Sequence, residues 1–170
     1  MKLVYKILAI IILIVIIGFL LPQEFSMPVE GASSADYNKN TFWYYPWGKS
    51  VTHKGVDIFA KEGNNVVSST SGFVISAGRV LQGGNYILVL GPKWRLHYYA
   101  HLQTIKTSSL TVISRNDIIG TVGSSGNAKG KAPHLHYSIF TPIPYLWRID
   151  TQKQGWKKMF FLNPIDYLTE

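Results

Sequence analysis

From residue 41 to residue 160 the sequence carries no helical period. Its apolar residues come in short runs rich in Val, Ile, Tyr and Phe, at 56–60, 72–80, 85–90, 94–100, 118–122 and 135–140. Gly63, Gly78, Gly83-Gly84, Gly91-Pro92 and Gly123 punctuate them. β-Branched and aromatic residues suit a pleated, half-buried surface, and glycine and proline mark the turns between strands. The pattern predicts a mostly β fold, a compact antiparallel β-sheet domain. No internal repeat is visible. Near the end, Asn163-Pro164 reads as an N-cap followed by proline at the first helical position, which predicts a short terminal helix.

The first 21 residues differ in kind. They hold 18 apolar residues, interrupted only by Lys2, Lys6 and Gly18. From Leu3 the run is 19 residues long, about 28 Å as a helix at ~1.5 Å per residue. That spans a hydrocarbon core of ~30 Å when Lys6 snorkels to the interface. The two lysines keep the N-terminus cytoplasmic and send the rest across, to a periplasmic or extracellular location. An uncleaved transmembrane signal anchor is the expectation. A cleaved signal peptide is the alternative, with a late Ser33-Ser34-Ala35 site. The division expected is residues 1–21 as anchor, 22–40 as a Pro-, Ser-, Ala- and Asn-rich juxtamembrane linker and 41–144 as the working domain. Residues 145–170 form a basic, aromatic extension packed on that domain.

The chain has 170 residues, no cysteine and a formal charge of +8, of which +6 lies outside the first 21 residues. Without cysteine there is no disulfide scaffold, thiolate metal site or thiol nucleophile. The positive charge fits anionic wall polymers or lipid head groups, or a solvated basic surface. Nucleic acid is not an expected partner, because no recognition motif accompanies the charge and export separates the two.

Five histidines, His53, His97, His101, His134 and His136, stand among few other ionisable groups. His134-Leu135-His136 opens a candidate strand, so both imidazoles project from one face. His53-Lys54-Gly55-Val56-Asp57 adds two potential ligands at a loop entering a strand. Strand parity places His97, Tyr99 and His101 on one face if no bulge intervenes. Zinc chemistry fits the set: a catalytic zinc takes three N/O ligands and keeps a position open for water, and a neighbouring neutral imidazole moves the proton.

These residues resemble the lysostaphin-type (LytM-type) zinc endopeptidases that cut peptidoglycan. The resemblance rests on His53-Lys54-Gly55-Val56-Asp57-Ile58, Gly72-Phe73-Val74, Gly83-Gly84-Asn85, Tyr98-Tyr99-Ala100-His101-Leu102, Ile119-Gly120-Thr121-Val122-Gly123, Gly126-Asn127 and Ala132-Pro133-His134-Leu135-His136-Tyr137. It covers roughly residues 48–140. It implies a small β-sheet groove with Zn2+ on its floor, held by His53, Asp57 and His136. His101 and His134 are then the catalytic histidines that do not ligate. His97 lies outside the set and is expected to be a packed or solvated strand residue. One departure is the stretch from Phe42 to Lys49, which lacks the arginine found there in many relatives.

The implied activity is a zinc metalloendopeptidase that hydrolyses peptide cross-links of bacterial peptidoglycan from a single-pass membrane anchor. Degenerate members of the family act as non-enzymatic activators of other wall hydrolases. A wall-binding scaffold or activator is therefore the alternative, although all five functional positions are filled here. A carboxypeptidase trimming terminal D-Ala ranks below both, because those enzymes lack the H-x-H strand. A protein activator of this chain is a further conceivable partner that no motif identifies. The basic aromatic extension either packs on the β core with solvated lysines or rests on the membrane interface.

Overall fold

The computed structural model describes residues 2–168. Met1 of the expected anchor, and Thr169 and Glu170 of the expected extension, lie outside the described residues. Helix α1, Lys2–Leu20, is long and apolar enough to cross a membrane and is the candidate transmembrane span. Only Gly18 in it is buried.

The strands are β1 (Val56–Phe59), β2 (Asn65–Val67), β3 (Gly72–Val80), β4 (Gly84–Leu90), β5 (Leu96–Leu102), β6 (Thr104–Ile105), β7 (Val112–Ile113), β8 (Ile118–Thr121), β9 (His134–Phe140) and β10 (Phe161–Leu162). The six β-type runs become β1, β3, β4, β5, β8 and β9, and the short β2, β6, β7 and β10 lie outside them. A main sheet runs β1-β9-β5-β4-β3-β7, with β10 beside the far end of β9, and a smaller sheet runs β2-β8-β6. The pairings are antiparallel, so the fold is mostly antiparallel β. Alternation supplies the core. Val56 and Ile58 of β1, Ile87 and Val89 of β4, Leu135, Tyr137 and Ile139 of β9, and Ile119 of β8 are fully buried in one cluster. Each such side chain contributes about 1.5–3 kcal/mol of transfer free energy. The expected terminal helix is a single 3₁₀ turn, Pro164–Asp166, with the Asn163 side chain accepting from the Ile165 amide.

Residues between the helix and Thr41 lie along the domain. The Ser26 amide donates to the Ser69 carbonyl and the Val67 amide to that of Pro28. Val29 forms a bridge with Val66 and is buried in the core. The extension divides: Leu162 and Leu168 are buried, whereas Leu146 and Trp147 are 64% and 80% exposed.

His97 is packed, not solvated. The Arg95 guanidinium donates to Gln23 Oε1 (2.9 Å), which turns the Gln23 amide nitrogen toward His97 Nε2 (3.0 Å). His97 Nδ1 therefore carries the proton and donates to the Tyr137 hydroxyl at 2.6 Å. Burial, with Arg95 beside it, pushes His97 down to about 3. The unfolded chain, with a histidine near 6.5, takes a proton that the native state refuses. Stability is thus complete above about pH 6.5 and declines as pH falls toward about 3. Urea unfolding across that window is expected to be shallower in pH for His97→Gln, by up to one proton, or about 1.4 kcal/mol per pH unit. An unchanged slope refutes the assignment.

Candidate metal centre and groove

Asp57 and His136 are direct cross-strand partners in β1 and β9, which brings their side chains together on one face. His53 joins them through a loop pressed onto β9. A Cβ at Gly55 would collide with the Tyr137 carbonyl and Ser138 Oγ and lie 2.9 Å from His136 Cε1. Backbone there cannot yield as a side-chain tip does. Gly55→Ala is expected to cost about 1–3 kcal/mol through overpacking, lowering the thermal midpoint by roughly 2–12 °C in a calorimetric scan. An unshifted midpoint would show that the loop has room.

Three donor atoms converge. His53 Nε2 lies 3.1 Å from Asp57 Oδ1 and 3.1 Å from His136 Nδ1, and His136 Nδ1 lies 2.7 Å from Asp57 Oδ1. Among the described residues this is the group of His and acidic side chains with metal-ligand spacing. Its tautomers are constrained. His53 Nδ1 faces the Thr41 carbonyl at 3.0 Å. A carbonyl only accepts, so that nitrogen carries the proton and Nε2 presents a lone pair. His136 Nε2 meets the Ser138 hydroxyl at 2.9 Å. A neutral pair of rings has at most one proton, on His136 Nδ1, for three contacts, and the His53–Asp57 contact has none. Burial alone would raise the Asp57 carboxyl, but His136 and His53 outweigh it and hold the group well below the usual carboxylate range. Burial pushes His136 down despite Asp57. An anionic oxygen and imidazole nitrogens facing one centre fit a divalent cation of borderline softness, and the three residues line an open groove.

His101 and His134 flank this cluster. Their rings are 5.1 Å apart, and that of His101 is 5.9 Å from His136. His101 Nδ1 donates to the Ser125 carbonyl (2.9 Å) and His134 Nδ1 to that of Ala132 (2.8 Å). Both rings thus offer Nε2 as the unprotonated nitrogen. Burial, with His136 and His134 nearby, pushes His101 down to about 4.

Simple strand parity does not place His101. Tyr98 and Ala100 line the groove, while His97 and Tyr99 are buried with Tyr137 on the opposite face. Parity would send His101 after Tyr99. A left-handed φ of 64° at His101 breaks the alternation and turns it into the groove. Such backbone is rare for a residue with a Cβ and costs about 1–3 kcal/mol. Ser125 and Gly83 hold it, the Ser125 amide donating to the His101 carbonyl and the His101 amide to that of Gly83.

Several supporting groups lie outside the motif. Trp47 stacks on His53 at 4.2 Å between centroids. Ser138 shares the His136 face two residues on, a relation that period two predicts. The carbonyls of Thr41, Ser125 and Ala132 leave no sequence signal. Lys49, Lys54 and Lys131 line the groove together with Trp47 and Tyr98.

Comparison with known proteins extends this geometry. The L-Ala–D-Glu endopeptidase of Bacillus subtilis is 33% identical over 156 residues, 78% of this chain and 46% of that protein. The murein hydrolase activator NlpD of Salmonella dublin is 32% identical over 101 residues, 55% of this chain and 26% of that protein. The catalytic domain of lysostaphin from Staphylococcus simulans superposes with a TM-score of 0.63 at 25% identity, covering 82% of this chain and 99% of that domain. The chain spans less than half the length of these two curated relatives. Residues 51–146, more than half of the chain and the whole span from His53 to His136, match peptidase family M23. With that match and a lysostaphin-like sheet carrying the histidine cluster, the chain belongs to peptidase family M23.

Proposed function

We propose that the protein is a membrane-anchored, zinc-dependent endopeptidase that hydrolyses peptide cross-links of peptidoglycan. The observation that carries it is the pairing of two sets. One is a convergent His53–Asp57–His136 cluster short of protons, and the other is His101 and His134 with Nδ1 anchored on carbonyls and Nε2 free. His53 Nε2, Asp57 Oδ1 and His136 Nδ1 would hold the zinc. Bound there, zinc supplies Lewis acidity to the substrate carbonyl and lowers the pKa of water. Neutral His101 or His134 accepts the proton of the attacking water at Nε2 and returns it to the leaving amine. The other stabilises the developing oxyanion once its own Nε2 is protonated, as an imidazolium with both nitrogens donating. Ser138 and the Thr41 carbonyl fix the ligand rings, as outer partners of metal-bound histidines do. A wall substrate is supported by the likeness to an L-Ala–D-Glu endopeptidase and to a murein hydrolase activator, and α1 is read as an uncleaved span that keeps the domain on the far side of the membrane. Residues 22–168 are taken as the working unit, with the 22–40 stretch and the extension packed on it.

A non-catalytic activator is the second reading, favoured by the identity to NlpD. Purified sacculi incubated with the full chain in detergent, with and without a zinc chelator, distinguish the two. Chelator-sensitive conversion of cross-linked muropeptides to monomers, identified by mass spectrometry, is the expected result and names the bond. Sacculi bound but unchanged by a folded, zinc-loaded chain would favour the activator.

A further inference from the structure

We propose that one edge of the main sheet is a bilayer-docking face, so that the domain sits on the membrane that holds α1 in a fixed orientation. This rests on reading α1 as an uncleaved span. The contact begins at the turn between β4 and β5. Trp94 packs on Gly18, and its indole Nε1 donates to the Val15 carbonyl at 3.0 Å. Lys93 Nζ donates to the Phe19 carbonyl at 3.1 Å. Both turn residues have left-handed φ, 61° and 57°, a costly backbone that aims two interfacial side chain types at the helix. Val15 lies five residues before the end of α1, about 7.5 Å along its axis at ~1.5 Å per residue. With the end of α1 at the head groups, Lys93 sits level with the bilayer surface and the Trp94 indole reaches about 7.5 Å below it, the depth of an interfacial side chain.

The sheet register carries that level sideways. Val112 pairs with Phe73, Phe73 with Leu90, Leu90 with Leu96 and Leu96 with Phe140. This is one row across β7, β3, β4, β5 and β9, and the turn projects from its middle. On one flank of the row Phe73 and Val112 are exposed. On the other, the chain leaving Phe140 presents Leu146, Trp147 and Ile149, all exposed, with Trp147 stacked on Tyr145. The flanks are apolar and aromatic, and Lys93 and Arg148 lie among them. That combination suits the boundary between acyl chains and anionic head groups. It also accounts for apolar side chains that a water-facing surface would not gather at one edge. His101 lies five residues along β5 from Leu96, roughly 17 Å at ~3.3 Å per residue. Docking therefore holds the groove at a set height above the bilayer, toward the nearest layer of wall.

The absence of native cysteine makes the test direct. Trp147→Cys, Val112→Cys, Ile11→Cys and Leu81→Cys are made singly in the full chain, spin-labelled and reconstituted in phosphatidylcholine–phosphatidylglycerol nanodiscs. Accessibility to oxygen and to a water-soluble nickel complex is read by power saturation. The label at 11 is expected deep in the acyl region, those at 147 and 112 at the head groups, and that at 81 in water. Labels at 147 and 112 that read like 81 while 11 reads deep would overturn docking and leave the anchor standing. A label at 11 in water would overturn both.

Discussion

His134→Ala is expected to lower the rate of cross-link cleavage by two to four orders of magnitude, the range for losing a positioned acid–base group, while zinc content stays near one per chain. The geometry separates the two outcomes. His134 Nδ1 is tied to the Ala132 carbonyl, and the ring lies beside His101 and Phe59. It takes no part in the His53–Asp57–His136 triangle. Truncation therefore removes a free Nε2 from the groove without removing a ligand. His134→Gln keeps a hydrogen-bonding group of similar reach but cannot exchange a proton near neutral pH. Recovery of most of the activity in the glutamine variant would assign His134 to oxyanion binding, and continued inactivity assigns it to proton transfer. Zinc measured by emission spectroscopy is the control: its loss from His134→Ala would overturn the division between ligands and proton carriers.

The same cluster shows why some of the site was legible in sequence. His134-Leu135-His136 obeys the period of two, and the structure puts both histidines on the groove with Leu135 in the core. The short step from His53 to Asp57 crosses a loop that only glycine lets approach β9, so the spacing itself encodes the convergence. His101 was legible as part of a motif but not by parity, because its left-handed backbone turns it against the alternation. Strands β6, β7 and β10 have two residues each, too few to show any period. The 26–30 segment, Ser-Met-Pro-Val-Glu, is too short and mixed to show a period, and it is attached by backbone hydrogen bonds, by Val29 in the core and by Met27 packed against it. Trp47 reads as one aromatic among many, and only the folded loop reveals its stacking on His53. Side chains repeat with the backbone and can be read in advance. Carbonyl anchors and reversals of φ are set by the surrounding chain.

Asp57→Asn is expected to lose most of the stability that metal adds. In wild-type protein without zinc, the His53 lone pair faces the Asp57 carboxylate at 3.1 Å with no proton between them. The charge is mostly buried, with its side chain 16% exposed. An amide of the same shape removes that charge and brings a donor for His53 Nε2. The hydrogen bonds that hold the wild-type carboxyl below its usual range are weaker to a neutral amide. The metal-free variant should thus unfold somewhat below the wild-type temperature. With zinc the difference widens. Ligation requires the anionic oxygen and unprotonated imidazoles, and binding at a thousand times Kd adds about 4 kcal/mol of stability, or roughly 8–16 °C for a chain of this size. Wild type is expected to gain that shift and Asp57→Asn little of it. Protons compete for the same nitrogens, so the wild-type shift should shrink in acid, and because burial pushes His136 down that loss should begin below the ordinary histidine range. Scanning calorimetry of both proteins, with zinc and with chelator, reads all of this. An equal zinc shift in the two would remove Asp57 from the ligand set. A metal-free variant more stable than metal-free wild type would mean that the carboxylate is strained without a cation.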